Sequence, residues 1–394
     1  MRVAVTVAVT VAVLLSGCVG FTNPDAGSGS GGGTAATGGG SPTGGGSTSG
    51  GGSATGGGLP NGTPPTITYG LVTESNAGMD GCMAWQSVFL LNDGRIASFG
   101  TGNHAPEQSN AMRIIDPIAM PGQLTTYDAF PWTQAMSPPN LNTGSNTYVS
   151  NYDNHPSIYL PPENKAVWAG HGVFDFASNG WTYGDRPPLT QQWNAFLADA
   201  RGGMHTTYNP AVAWCESLGV GVWFGSSNGG YGRLANELNV IERSDAGASA
   251  PWMITIAGIG GIDDLHYARD SAVCIGDSLF VWGPVDTDPY SGQRFYEINV
   301  RTRTLTATLA NPNNDDRNHF QQLVHDPVRN QLVLIGKRVQ SFNLSTRTWA
   351  DVTPMNWPGF TSVNGVYHPG EDAIFFRGTP PMQSDCMKWN KMKF

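Results

Sequence analysis

The feature that most narrows what this chain can fold into is an internal repeat. Six times the sequence runs through an apolar strand, a turn and a second apolar strand ending in Gly. The copies read CMAWQSVFLLNDGRIASFG from Cys82, HPSIYLPPENKAVWAG from His155 and HTTYNPAVAWCESLGVGVWFG from His205. They continue as HYARDSAVCIGDSLFVWG from His266, HFQQLVHDPVRNQLVLIG from His319 and GFTSVNGVYHPGEDAIFFRG from Gly359. Turn chemistry sits between the paired strands, as Asn92-Asp93-Gly94, Glu163-Asn164, Gly276-Asp277, Arg329-Asn330 and Gly370-Glu371. A second, outer hairpin recurs in VFDFASNGW to Trp181, YEINVRTRTL to Leu305 and VQSFNLSTRTW to Trp349. Two hairpins make a four-stranded blade, and a period of roughly 40–60 residues is the signature of blades arrayed about an axis. The expectation is an all-β, six-bladed β-propeller. Its last unit runs out of chain after CMKWN (Cys386 to Asn390), so Thr66–Val72, a strand-like segment without a partner, is expected to complete that blade and close the ring.

On these units the chain resembles the kelch and galactose-oxidase central-domain superfamily of propellers, over nearly everything after Pro64. It departs from the kelch pattern where paired glycines usually follow the second strand, with Gly283-Pro284 and Gly336-Lys337 there instead. The copper chemistry of galactose oxidase does not map onto residues of this chain.

The amino-terminal segment has a different character. Met1-Arg2 precedes an apolar run from Val3 to Leu15 and then Leu15-Ser16-Gly17-Cys18. The run is shorter than the ~20 apolar residues that span a bilayer, and it has the layout of an export signal. It resembles a bacterial lipoprotein signal, which implies removal of residues 1–17 and acylation of Cys18, with Val19 favouring the outer membrane. Residues 18–64 are dominated by Gly, Ser, Thr, Ala and Pro. Such a stretch buries too little apolar surface to offset its ordering entropy. As a flexible coil it would span on the order of 35–40 Å, holding a propeller of residues 65–394 off an outer membrane or cell surface.

Composition excludes one class of partner: with a net charge of −9 and few lysines, the chain carries no basic footprint for nucleic acid. Four cysteines remain beyond Cys18, in an exported chain where disulfides persist. Cys215 and Cys274 sit at matching strand ends, as buried structural thiols or an inter-blade bridge would, and Cys82–Cys386 is a candidate bridge across the closing seam. No GxSxG elbow is present, and the glycine runs lack the Lys-Ser/Thr of a phosphate loop.

Candidate chemistry lies at the axis. His155, His205, His266 and His319 each stand at the start of a repeat unit, where a radial fold brings equivalent positions together. Such a ring would suit a divalent metal, a polar ligand-binding rim, or backbone hydrogen bonds between blades. Asp153, Asp263, Asp264, Asp316 and Arg317 precede these histidines and would share the rim. Trp168, Trp223, Trp282 and Trp349 fall on repeat positions and read as core. Trp193 lies outside the repeat in the insert 183–201, on a short predicted helix from about Thr190, and is a candidate for stacking on a sugar. The leading expectation is a surface module that binds a polysaccharide or protein partner through its loop face. The alternative is a carbohydrate-active enzyme of the polysaccharide-lyase type with a histidine-rich, metal-holding axial site.

Overall fold

Each repeat unit folds as the sequence leads one to expect, into antiparallel hairpins joined edge to edge. The computed structural model describes residues 67–73, 87–99, 111–129, 157–168, 172–182, 211–224, 237–243, 252–262, 271–284, 293–312, 321–360, 363–378 and 389–394. After β1 (Thr68–Thr73), blade 1 comprises β2 (Ser87–Leu90), β3 (Ile96–Phe99), β4 (Ala111–Asp116) and β5 (Met120–Ala129). Blade 2 follows with β6 (Ser157–Leu160), β7 (Lys165–Trp168), β8 (Gly172–Asp175) and β9 (Gly180–Thr182). Blade 3 holds β10 (Ala211–Cys215), β11 (Val220–Phe224), β12 (Glu237–Arg243) and β13 (Trp252–Gly258). Blade 4 holds β14 (Ala272–Ile275), β15 (Ser278–Pro284), β16 (Gln293–Asn299) and β17 (Thr304–Leu309). In blade 5 the strands are β18 (Gln322–Asp326), β19 (Gln331–Ile335), β20 (Val339–Asn343) and β21 (Thr348–Asp351). The carboxy-terminal strands are β22 (Val363–His368), β23 (Ala373–Gly378) and β24 (Trp389–Lys393).

Blade 6 is completed from the other end of the chain, its order being β1-β24-β23-β22. Tyr69 lies opposite Met392 and Gly70 opposite Lys391, so the expected ring closure is present. The first strands of the blades neighbour one another in sequence from β2 through β22, and β22 returns to β2. The protein is a six-bladed β-propeller.

The core sits between blades, which explains why the second strand of each blade reads as an unbroken apolar run. In β19, Leu332 and Leu334 pack with Phe280, Trp282 and Phe295 of blade 4. Their alternates Val333 and Ile335 pack with Ile374 and Phe376 of blade 6. β23 repeats the pattern, with Ile374 and Phe376 turned to blade 5 and Ala373 and Phe375 turned to Ile96 and Ile115 of blade 1. Because successive side chains alternate between faces and both faces are covered, polar alternation is absent. Trp282 is fully buried, as its repeat position implied.

The inner hairpins each reverse through one residue in the left-handed region: Gly94, Asn164, Gly219, Gly276, Asn330 and Asp372. Gly and Asn are the residues that adopt this region most readily. In blades 2 and 6 a short 3-10 turn, Pro161–Glu163 or Pro369–Glu371, leads into it. The turn of blade 6 therefore closes on Asp372, not within the Gly370-Glu371 pair. Cys215 and Cys274 form a disulfide with a Cα–Cα distance of 5.0 Å, stapling β10 of blade 3 to β14 of blade 4. Of the two readings of these cysteines the inter-blade bridge holds, while Cys82 and Cys386 lie outside the described residues.

Candidate functional site

The innermost strands share one register, so equivalent residues stack in layers along the axis. Leu90, Tyr159, Trp214, Cys274, His325 and Tyr367 lie opposite Ile96, Ala166, Gly221, Leu279, Leu332 and Ile374, the corresponding positions of the second strands. All six line an axial cavity of about 460 Å³. One layer further from the turns are Phe89, Ile158, Ala213, Val273, Val324 and Val366, and beyond them Val88, Val212, Ala272, Leu323 and Gly365, all on the same cavity wall. The next residue outward is Ser87, Ser271, Gln322 or Asn364 in blades 1, 4, 5 and 6. The channel thus runs from an aromatic end, through an apolar middle, to a polar end. Each innermost strand is also a sheet edge, so it turns unpaired backbone groups toward the axis.

Antiparallel order places the two ends of the ring in different roles. The first-to-second and third-to-fourth strand connections emerge on one face, and they are short, for example 161–164, 276–277, 327–330 and 344–347. The other connections join strands on the opposite face, and the longest are 130–156 and 183–210.

On the turn face, polar side chains are spent tying neighbouring blades together. Asn92 donates from Nδ2 to the Pro161 carbonyl at 2.7 Å, and its backbone N–H donates to the Tyr159 hydroxyl at 3.2 Å. Ser217 donates to the Gly276 carbonyl at 2.6 Å, and Arg347 pairs with the buried Glu297 at 2.7 Å. Between blades 6 and 1, His368 accepts from the Glu371 N–H at Nδ1, which leaves the proton on Nε2, donated to the Gly94 carbonyl at 2.8 Å. The Tyr159 hydroxyl donates to Asn164 at 2.9 Å and that of Tyr367 to Asp372 at 2.8 Å, the same contact in two blades. The indole of Trp214 donates to Glu216 at 2.7 Å.

Between blades 5 and 6, Arg329 forks onto Asp372 with bonds of 2.8 and 2.7 Å while also reaching Asp326. The Arg329 and Tyr367 donors hold the Asp372 carboxyl at about 2, below its ordinary value. Burial, and then the bond to Asp372, push the Tyr367 phenol up to about 12. A depressed carboxyl stabilises the fold above its unfolded pKa and loses that contribution as pH falls through the folded value. Asp372→Asn, which keeps a residue tolerant of the left-handed turn, should lower the melting temperature modestly at neutral pH, because the carboxylate is 46% exposed. The gap from the parent should shrink between about pH 4 and about pH 2, read by thermal unfolding across that range.

Arg113 and Arg377 are buried near one another at the seam of blades 6 and 1. Burial lowers Arg113 to about 10; burial, then the charge of Arg113, lowers Arg377 to about 9. The Arg377 guanidinium lies over the Trp389 ring, 5.5 Å from its centroid. In the channel, burial lowers the His325 pKa against a small opposing influence from Asp326.

The sequence-predicted residues His155, His205, His266, His319, Asp153, Asp264, Arg317, Trp193 and Cys18 all lie outside the described residues, as does the predicted helix near Thr190. The strands that follow the four histidines, β6, β10, β14 and β18, are all innermost. Among the described residues no group of three or more His, Cys, Asp or Glu is placed to hold a metal ion, and no helix is long and apolar enough to cross a membrane. Sequence reasoning missed Tyr159, Trp214, His325 and Tyr367. Their signal was available: each stands at one offset before the inner turn, visible once the repeats are aligned on that turn.

Fold and channel together define a six-bladed β-propeller with an axial cavity of ligand size. No protein-family description matches the chain, and no curated protein matches it in sequence. Among solved structures it is similar to YjhT, with a TM-score of 0.49 and 11% identity, covering 82% of this chain and 95% of that one.

Proposed function

We propose that this chain is a surface-anchored lipoprotein of kelch-like kinship whose propeller binds a polysaccharide or protein partner through its loop face. The observation that carries this reading is the division of labour between the two faces. Several polar groups of the turn face tie neighbouring blades together, whereas the longest connections, 130–156 and 183–210, join strand ends on the opposite face. Loops on a rigid scaffold are where recognition concentrates. His155, His205, His266 and His319, with Asp153, Asp264 and Arg317, form the rim of that face in this reading, and Trp193 supplies a stacking surface. Fold alone does not decide function; the residue types on these connections supply the rest.

A glycan array probed with residues 62–394 tests the recognition step. Retention of a polysaccharide class that is lost on Trp193→Ala, with unchanged melting temperature, is the expected result. Stoichiometric metal that disappears on His205→Ala and His266→Ala would favour the lyase-type enzyme instead. Anchoring is tested separately by labelling cells with a fatty-acid analogue, which should mark the chain and fail to mark Cys18→Ser.

A further inference from the structure

The turn-face end of the channel, lined also by Pro161, Pro327 and Pro369, has the makings of a site. Tyr159, Trp214 and Tyr367 have their polar tips fastened to Asn164, Glu216 and Asp372. Those bonds fix the rings; all three residues line the cavity, and Tyr159 and Tyr367 also pack into the cores between blades. His325 stands in the same layer, half-buried, and makes no hydrogen bond to the described residues. An imidazole held this way can donate or accept one hydrogen bond from a guest.

Charge bookkeeping at this end narrows the guest. No Lys or Arg among the described residues lines the cavity, so an anion would find no cation among them. The carboxylates nearby are already engaged: Asp326 accepts from Arg329 and from Gln331 at 2.9 Å, and Glu216 accepts from the Trp214 indole. None of these carboxylates, nor any other Asp or Glu among the described residues, lines the cavity, so a cation would find no counter-charge in contact with it there. Burial also favours the neutral form of His325. The walls beyond are apolar, which favours a guest with an apolar body. Fixed aromatic rings favour a planar one, through offset or edge-to-face contacts.

We propose that the axial channel is a site for a small, uncharged aromatic molecule, seated among Tyr159, Trp214 and Tyr367 and hydrogen-bonded to His325. The site does not depend on the loop-face reading, since it uses neither the rim histidines nor the long connections. Its cavity volume falls within the range of small-molecule pockets, and a guest there touches several blades at once.

Indole and phenol are the probes, applied to the full chain by saturation-transfer NMR and by thermal unfolding. Expected results are saturation transfer to both and a melting temperature that rises with probe concentration. His325→Phe should weaken binding by at least tenfold, and Leu323→Trp, which fills the middle of the channel, should abolish it. If Leu323→Trp does not fold, Val366→Phe provides the same obstruction from blade 6. Absence of transfer to either probe would overturn the proposal. So would equal binding of cyclohexanol, preference for methyl glucoside, or undiminished binding in His325→Phe. His205→Ala and His266→Ala should leave indole binding intact, and its loss there would move the site to the loop face.

Discussion

Removing Ile67–Thr73 should leave blade 6 with three strands and bring the whole ring close to unfolding. β1 hydrogen-bonds along β24, opposite Asn390 to Lys393, and nothing else in the described chain can occupy that edge. Tyr69 also packs edge-on against Trp357 at 5.0 Å, and Ile67 belongs to the core between blades 5 and 6 with Phe376 and Met392. Losing those apolar contacts alone costs on the order of 5 kcal/mol, a large part of the stability of an ordinary domain. The bared edge of β24 would add a tendency to pair with other chains. Thermal unfolding with light scattering checks this: the truncated chain should melt far below the parent and aggregate on melting. Coincident melting curves would mean that β1 is dispensable.

The second large effect should come from the staple between blades 3 and 4. Cys215 and Cys274 are separated by 59 residues, and closing a loop of that size removes about 4 kcal/mol of unfolded-state entropy. Cys215→Ala combined with Cys274→Ala should therefore lower the unfolding free energy by about that amount. Dithiothreitol should shift the parent by about that amount more than it shifts the double variant. Equal sensitivity of both proteins to reductant would place the effect elsewhere. The staple has a structural setting that suits it: Cys274 lies in the aromatic layer of the channel, and the Ser217 bond to Gly276 reinforces the same seam.

Much of this architecture was legible in the residues. Hairpins announce themselves through turn residues such as Asn164 and Gly276, and apolar runs such as QLVLI mark strands buried on both faces. The closing strand could be inferred because the last unit lacked a fourth strand and the first lacked a use for Thr66–Val72. What sequence could not supply was partnership across blades. That Arg329 reaches Asp372, or that His368 meets the Gly94 carbonyl, depends on which turns the ring brings side by side. Local propensity carries no such information. The tyrosines repeat the lesson: Tyr159 and Tyr367 are core aromatics, and only the register shows both at one height on the axis, each tied to the left-handed residue of its own turn. The four histidines were singled out because each opens a repeat unit; they lie outside the described residues, and the innermost strands that follow them share one channel.

The central proposal is that the polysaccharide or protein partner is recognised by the loop face and not by the exposed side chains of the turn face. Binding to a polysaccharide retained on the array, measured by titration calorimetry for two sets of substitutions, tests it most directly. One set changes His155, His205, His266 and His319 to Ala; the other changes the exposed turn-face residues Ile118 and Arg301 to Ser. Affinity should fall at least tenfold in the first set with an unchanged melting temperature, and should stay at the parent value in the second. Loss of affinity in the turn-face set with full binding in the histidine set would contradict the account.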